Sequence, residues 1–482
     1  MTLTQLAIFG AIGLGYAAIV PGRMRGWLLM AVSVFAVYWL QPAVPIRRVD
    51  FILPTLTLGL AIVVWSLTRQ AKFTKTDGAA LVVTAVIVVA IALTRYLIPA
   101  LRPTPSRPPA IVYVLAGLGV LALVWGAIDW IARRTRGTPH RIRLVIVAQV
   151  VIVAIFIILK TDALAKLAAE WARGVTNQST SLAKASDWQW LGFSYIAFRL
   201  IHILRDVQAG RLPKDISLRE HLTYVVFFPA LTAGPIDRIE RHIRDDRALV
   251  TMKGLDAPRI TEGLTRIGVG ILKKFVLADW LALIALDSHN ADQATSTGAL
   301  WILLYAYALR LWLDFSGYSD IAIGLGVLFG IQLPENFDRP YLKNNLTAFW
   351  QSWHMSLSNW ARYYVFNPVS RVLLRREPKP NPNAVVLTAH LSTMILIGLW
   401  HGVTVNFFVW GLWHGVGLFV HKLWSDRTRI YYMTLNERPT VKWAWTAAGW
   451  LVTFHFVVLG WVWFSLGDFA TAVEVLGRLV GM

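Results

Sequence analysis

Long apolar runs separated by short breaks rich in proline and arginine fill the first third of the chain. The runs at 79–99 and 110–132 each carry one ionisable residue near an end, Arg95 and Asp129. A hydrocarbon core of about 30 Å takes roughly 20 helical residues, so each run is long enough to cross one. Inside lipid the backbone must satisfy its own hydrogen bonds, so these runs predict helices. A barrel would show shorter segments of alternating character, and none is present. Runs at 3–20, 26–40, 51–67 and 144–159 read the same way. The first has no preceding basic region and no small-residue cleavage site, so it is expected to remain as a span.

The pattern changes at 160–189. Residues 163–173 have helical propensity and 174–186 are polar, which predicts an exposed loop holding an interfacial helix. Beyond Trp190 the apolar runs are interrupted by Gly, Pro, Asn, His, Asp and Arg. An ionisable group at membrane depth costs about 2.5–3.5 kcal/mol on insertion scales, so such groups normally line a cavity or pathway. The expected fold is all-α, a polytopic transmembrane bundle of about 11–14 membrane helices with re-entrant or interfacial pieces. Scaffold helices occupy 1–160, the loop 161–189, a functional core 190–465 and a C-terminal segment 466–482. There is no internal repeat.

Composition agrees, with 56% hydrophobic and 15% charged residues, against about a quarter charged in soluble domains. The formal charge of +20 is spread through short loops, which argues against a nucleic-acid partner. It reads as positive-inside bias with anionic lipid headgroups as partners. A basic cytoplasmic surface would also attract an anionic acyl donor. The excess on loops one, three and five favours an extracytoplasmic N-terminus. No cysteine is present, which removes disulfides, thiolate metal sites and a cysteine acyl-enzyme from consideration.

Four stretches carry candidate chemistry. Residues 336–367, NFDRPYLKNNLTAFWQSWHMSLSNWARYYVFN, are too polar to span lipid comfortably. On a continuous helix His354, Ser358 and Arg362 would share one face, with Trp353 and Trp360 on a neighbouring stripe. An aromatic belt around a structural histidine gives the same pattern. The second stretch, 397–415, sets His401 between Gly398 and Gly402, after Trp400 and before Asn406, with His414 further on. A neutral imidazole near pH 7 can take a proton from an attacking hydroxyl, and a satisfied core histidine would look alike in sequence. The third, 311–326, buries Asp314 and Asp320 in an apolar run. Proton relay, substrate contact, a metal, or pairing with Arg310 or another helix would each suit them, although no trusted metal-loop spacing is present. The fourth, 263–279, holds Lys273 and Lys274, which would snorkel to headgroups or meet a donor phosphate.

Six segments in order, FPALTAGPIDR, GLTRIGVGILKKFVLAD, DFSGYSDIAIG, ENFDRPY, FWQSWHMSLSNW and GLWHGVTVNFFVWGLWHG, resemble the membrane-bound O-acyltransferase family. The resemblance covers 192–424 and is nearest the branch serving alginate O-acetylation and teichoic acid D-alanylation. It implies that His354 and His401 are catalytic, with His401 the principal residue, in a central tunnel reached by donor and acceptor from opposite sides. Trp353, Trp400, Ser358 and Arg362, with Asn406, Asp314, Asp320, Lys273 and Lys274, are the candidate substrate contacts. The family's usual GPIVR is GPIDR here, so Asp237 adds a charge.

The expected function is transfer of a small acyl group to a hydroxyl of a cell-envelope polysaccharide at the cell membrane. The expected donor is acetyl-CoA, with no bound cofactor and no metal, and an SGNH-type partner completes the transfer. D-alanyl transfer from a carrier protein and phospholipid acylation are the alternatives within the class. A transporter or channel is the rival outside it and predicts two similar halves, which the sequence lacks.

Overall fold

The computed structural model describes the 482-residue chain except Lys253 and Leu255. Among the described residues it holds helices and no strand. Seven helices among the described residues are long and apolar enough to cross a membrane, and Leu3–Ile19 is a shorter apolar one. Polar side chains explain much of the difference from the larger expected number. Gly22–Trp39 opens with Arg23 and Arg25, and Val405–Thr434 holds Asn406, His414 and His421.

The chain forms two compact units, Met1–Ile267 with Ala322–Leu333, and Gly268–Ile321 with Pro334–Met482. This division differs from the one read from composition, which broke near 190. The helices between Trp190 and Ile267 belong with the N-terminal ones, and polar bonds tie them there. The Trp65 indole donates to Ile216 O at 3.1 Å, and the Leu218 N–H to Asp77 Oδ1 at 2.8 Å.

In the first unit, Val49–Thr68, Lys75–Leu93, Ile111–Arg134 and Pro139–Lys160 follow the apolar runs closely. Asp129 is held by Arg69 at 2.8 Å and Arg133 at 3.0 Å, so the carboxylate at the end of its run is neutralised. The amphipathic helix Asp162–Val175 buries Ala165, Ala169 and Ala172 and exposes Leu167, Trp171 and Val175. The broken segment 227–238 is organised by Arg199. Its buried guanidinium donates to Val225 O at 2.8 Å and Ala230 O at 2.6 Å. Asp237 is ion-paired to Arg241 at 2.8 Å, so the extra charge in GPIDR is compensated.

In the second unit, the helix entering at Gly268 passes through a π turn, Leu272–Ala278, and packs against the Gly268–Ile321 part of the helix Thr297–Leu328. A Cβ on Gly270 would stand 2.5 Å from Gly317 O, and one on Gly317 would stand 2.8 Å from Gly270 O. Small residues at such crossings let backbones approach in lipid. The unit closes with Pro382–His401, Val405–Thr434 and Pro439–Ser465.

Candidate functional site

The segment around His354 is not one helix, which corrects the shared face expected for His354, Ser358 and Arg362. It comprises Leu346–Trp350, a turn, Met355–Ala361, the π turn Arg362–Phe366 and Asn367–Leu374. The last three pieces run on as one helical stretch, 355–374, and its Arg362, Asn367 and Arg371 suit an interface better than a lipid core. His354 precedes the second piece with φ 42° and ψ 52°, in the left-handed region that side chains other than glycine rarely adopt. Its side chain is buried, and neither ring nitrogen bonds to any other described residue. Burial pushes the imidazole pKa down to about 3, so the ring is neutral at pH 7.

His401 ends the helix Pro382–His401. Its ring lies 4.5 Å from that of Trp400 and 4.7 Å from that of Phe464. The His354 ring lies 6.2 Å from the same Trp400 indole and 4.6 Å from Phe315. The two histidines therefore converge on one tryptophan, although they come from segments nearly fifty residues apart. The glycines on either side of His401 are points of close approach. A Cβ on Gly398 would stand 2.2 Å from Phe407 O, and one on Gly402 would stand 2.9 Å from the Phe407 ring. Both positions are consumed by packing of the next helix.

The other candidates divide by what they touch. Trp353 is buried within an aromatic core, 5.6 Å from Phe349 and 5.1 Å from Trp461. Asn406 is buried and donates to Leu466 O at 2.7 Å. Ser358 donates its hydroxyl to Trp353 O at 3.1 Å. These three stabilise the surroundings of the histidines. Arg362 is exposed and has no ion-pair partner among the described residues. Lys273 pairs with Asp320 at 2.7 Å and Lys274 with Asp314 at 2.5 Å, so four candidates neutralise one another across two helices.

Those pairs make a checkable expectation. Removing one partner of a poorly solvated pair leaves an uncompensated charge, which costs about 3–5 kcal/mol when fully buried, whereas replacing both with apolar residues is near neutral. Lys273→Met is expected to lower the amount of folded protein in membranes, and Lys273→Met with Asp320→Leu to restore it. Equal loss in the single and double variants would show that the charges serve something other than each other.

Two sets of contacts were not legible in sequence. The buried His414 accepts from the Trp350 indole at 3.4 Å, and its ring lies 4.9 Å from that of Trp410, itself 5.8 Å from His401. Asn336, also buried, binds the residues next to His354, and its place inside ENFDRPY was the available signal. In the first unit, ligand atoms of His202, Asp206 and Glu240 lie within 4.8 Å of one another. Arg211 and Arg238 already contact Asp206 at 2.7 and 3.2 Å, supplying the positive charge that a cation would bring.

Apolar helices long enough to span a bilayer, with two histidines converging on one tryptophan in the second unit, define a membrane-embedded protein. Residues 118–461 match the model of the membrane-bound O-acyltransferase family. The chain belongs to that family. It is 35% identical over 293 residues to a probable alginate O-acetylase of Pseudomonas syringae pv. tomato, covering 60% of this chain and 51% of that protein. It is 34% identical over 288 residues to a teichoic acid D-alanyltransferase of Streptococcus thermophilus, covering 57% and 68%. It is 34% identical over 271 residues to a peptidoglycan O-acetyltransferase of Helicobacter pylori, covering 55% and 47%. The chain thus spans about half the length of the alginate and peptidoglycan relatives it matches, and about two thirds of the teichoic acid one.

Proposed function

We propose that this protein is an O-acyltransferase of the cell membrane that moves an acetyl group from acetyl-CoA to a hydroxyl of a cell-envelope polysaccharide. The observation that carries the reading is the convergence of His354 and His401 on Trp400, inside the region matched to the family. The acceptor oxygen attacks the thioester carbonyl while His401 takes its proton. The carbon–oxygen bond forms, the carbon–sulfur bond breaks, and the proton passes from the imidazolium to the leaving thiolate. The neutral His354 donates one ring N–H towards the oxygen on which charge develops. Trp400, between donor and acceptor, shapes the space in which they meet. The donor reaches the histidines from the cytoplasmic side and the acceptor from the other, with an SGNH-type partner relaying the acyl group to the polymer.

D-alanyl transfer from an acidic carrier protein is the second reading. The greater share of the teichoic acid relative covered by the match favours it. Membranes holding the protein, supplied with radiolabelled acetyl-CoA or with a D-alanyl-loaded carrier, separate the two. Label transferred from acetyl-CoA into envelope polymer, lost in His401→Ala, is the expected result. Transfer from the carrier alone would select the second reading. Transfer from neither, in membranes where the partner is present, would defeat both.

A further inference from the structure

We propose that Asn336 is a positioning residue for His354: it caps the helix that His354 opens, which leaves the imidazole available to the reacting groups. The inference rests on the reading of His354 as part of the acyl-transfer site.

The first N–H groups of a helix have no partner within it, and the residue preceding the helix usually supplies a side-chain oxygen to one of them. The helix Met355–Ala361 opens at His354, which makes no such bond. Asn336 does so from another segment. The Met355 N–H donates to Asn336 O at 2.9 Å, and the Ser356 N–H to Asn336 Oδ1 at 3.3 Å. The Ser356 hydroxyl donates to the same Oδ1 at 2.6 Å. The Asn336 amide group in turn donates to Ser319 Oγ at 3.1 Å. One side chain thus serves as both acceptor and donor, which asparagine can do and leucine or alanine cannot.

The anchoring point matters as well. Ser319 lies one helical turn beyond Phe315, whose ring is 4.6 Å from that of His354. The helix that fixes Asn336 therefore also presses on the imidazole. The left-handed backbone at His354 persists because the next two residues are held from outside. Without the two bonds to Oδ1 the Met355 tie to the main-chain carbonyl is left alone, the backbone relaxes, and the ring turns away from Trp400. A second tie, from the Asp338 N–H to Ser352 O at 3.0 Å, keeps the two segments in register but does not touch the residues after His354.

The test measures kcat and KM for acyl transfer in membranes at matched protein levels for Asn336→Ala, His354→Ala and the double variant. A residue that acts through His354 adds nothing once His354 is gone. Asn336→Ala is expected to lower kcat by about tenfold or more with donor KM nearly unchanged, and the double variant to match His354→Ala. A double variant that loses the product of the two single effects would overturn the positioning role while leaving His354 in the reaction. Full activity in His354→Ala would overturn the catalytic reading itself, and the proposal with it. If Asn336→Ala does not accumulate, Ser356→Ala removes only the hydroxyl contact. It is expected to show a smaller kcat loss that again vanishes in the His354→Ala background, and an equal loss in both backgrounds would overturn the proposal.

Discussion

Replacing His401 with alanine is expected to lower acyl transfer by about 10²–10⁴-fold, the usual contribution of a positioned base. An alcohol is a weak nucleophile near neutral pH, and its proton must leave as the new bond forms. The chain has no cysteine to carry the acyl group, so direct attack assisted by an imidazole is the simplest route. His401 suits the role by place, since aromatic rings surround it at the end of a helix. His354 is less suited to trading protons, because its pKa near 3 keeps it neutral throughout the range in which histidines normally titrate. The pH profile of the wild-type rate should therefore show no step belonging to His354 between about pH 5 and 8. Near-normal transfer in His401→Ala at matched protein levels would leave only a packing role for that residue.

The second large effect is expected at Gly398, and it concerns folding. The helices Pro382–His401 and Val405–Thr434 approach so closely that a Cβ on Gly398 would lie 2.2 Å from Phe407 O. Across the same contact, a Cβ on Gly411 would lie 2.6 Å from Met394 O. Main-chain atoms cannot swing aside as a side chain can, so one methyl group forces the helices apart. Overpacking a well-filled core costs about 1–3 kcal/mol, and this contact falls at or above the upper end. Gly398→Ala should reduce the folded protein recovered from membranes and lower its unfolding midpoint in detergent, read by tryptophan fluorescence. Gly10→Ala, where nothing lies within 4 Å, is the matched control and should change neither. An unchanged midpoint for Gly398→Ala would mean that the helices do not meet as described.

The spanning helices were legible because a lipid environment writes itself into sequence as uninterrupted apolar length. The run at 144–159 lies within the helix Pro139–Lys160, and all but the first residue of the run at 110–132 lies within Ile111–Arg134. The short helix predicted at 163–173 lies within Asp162–Val175. The break at His354 was not legible, because its cause lies elsewhere in the chain. Periodicity extends a helix through Gln351 to His354, but bonds from Asn336 enforce a turn. Lys273 and Lys274 illustrate a related difficulty. Basic residues in an apolar helix signal that something compensates them, but the sequence does not say whether a headgroup, a substrate or a carboxylate does so. The histidines stood out by residue type and flanking pattern, whereas their meeting at Trp400 depends on tertiary packing.

The helix Asp162–Val175 holds the protein with alanines and turns Leu167, Trp171 and Val175 the other way. Apolar burial is worth about 25 cal/mol per Å², so methyl groups grip weakly while leucine and tryptophan offer most of the apolar area. For this helix the bilayer surface is the larger partner. Yet the buried Arg173–Asp187 pair at 2.8 Å and the bonds of Gln178 to Arg47 N and Pro45 O fix the height of the helix against the protein. The exposed leucine and tryptophan therefore act as a waterline, drawing the lipid surface to a level that the protein sets.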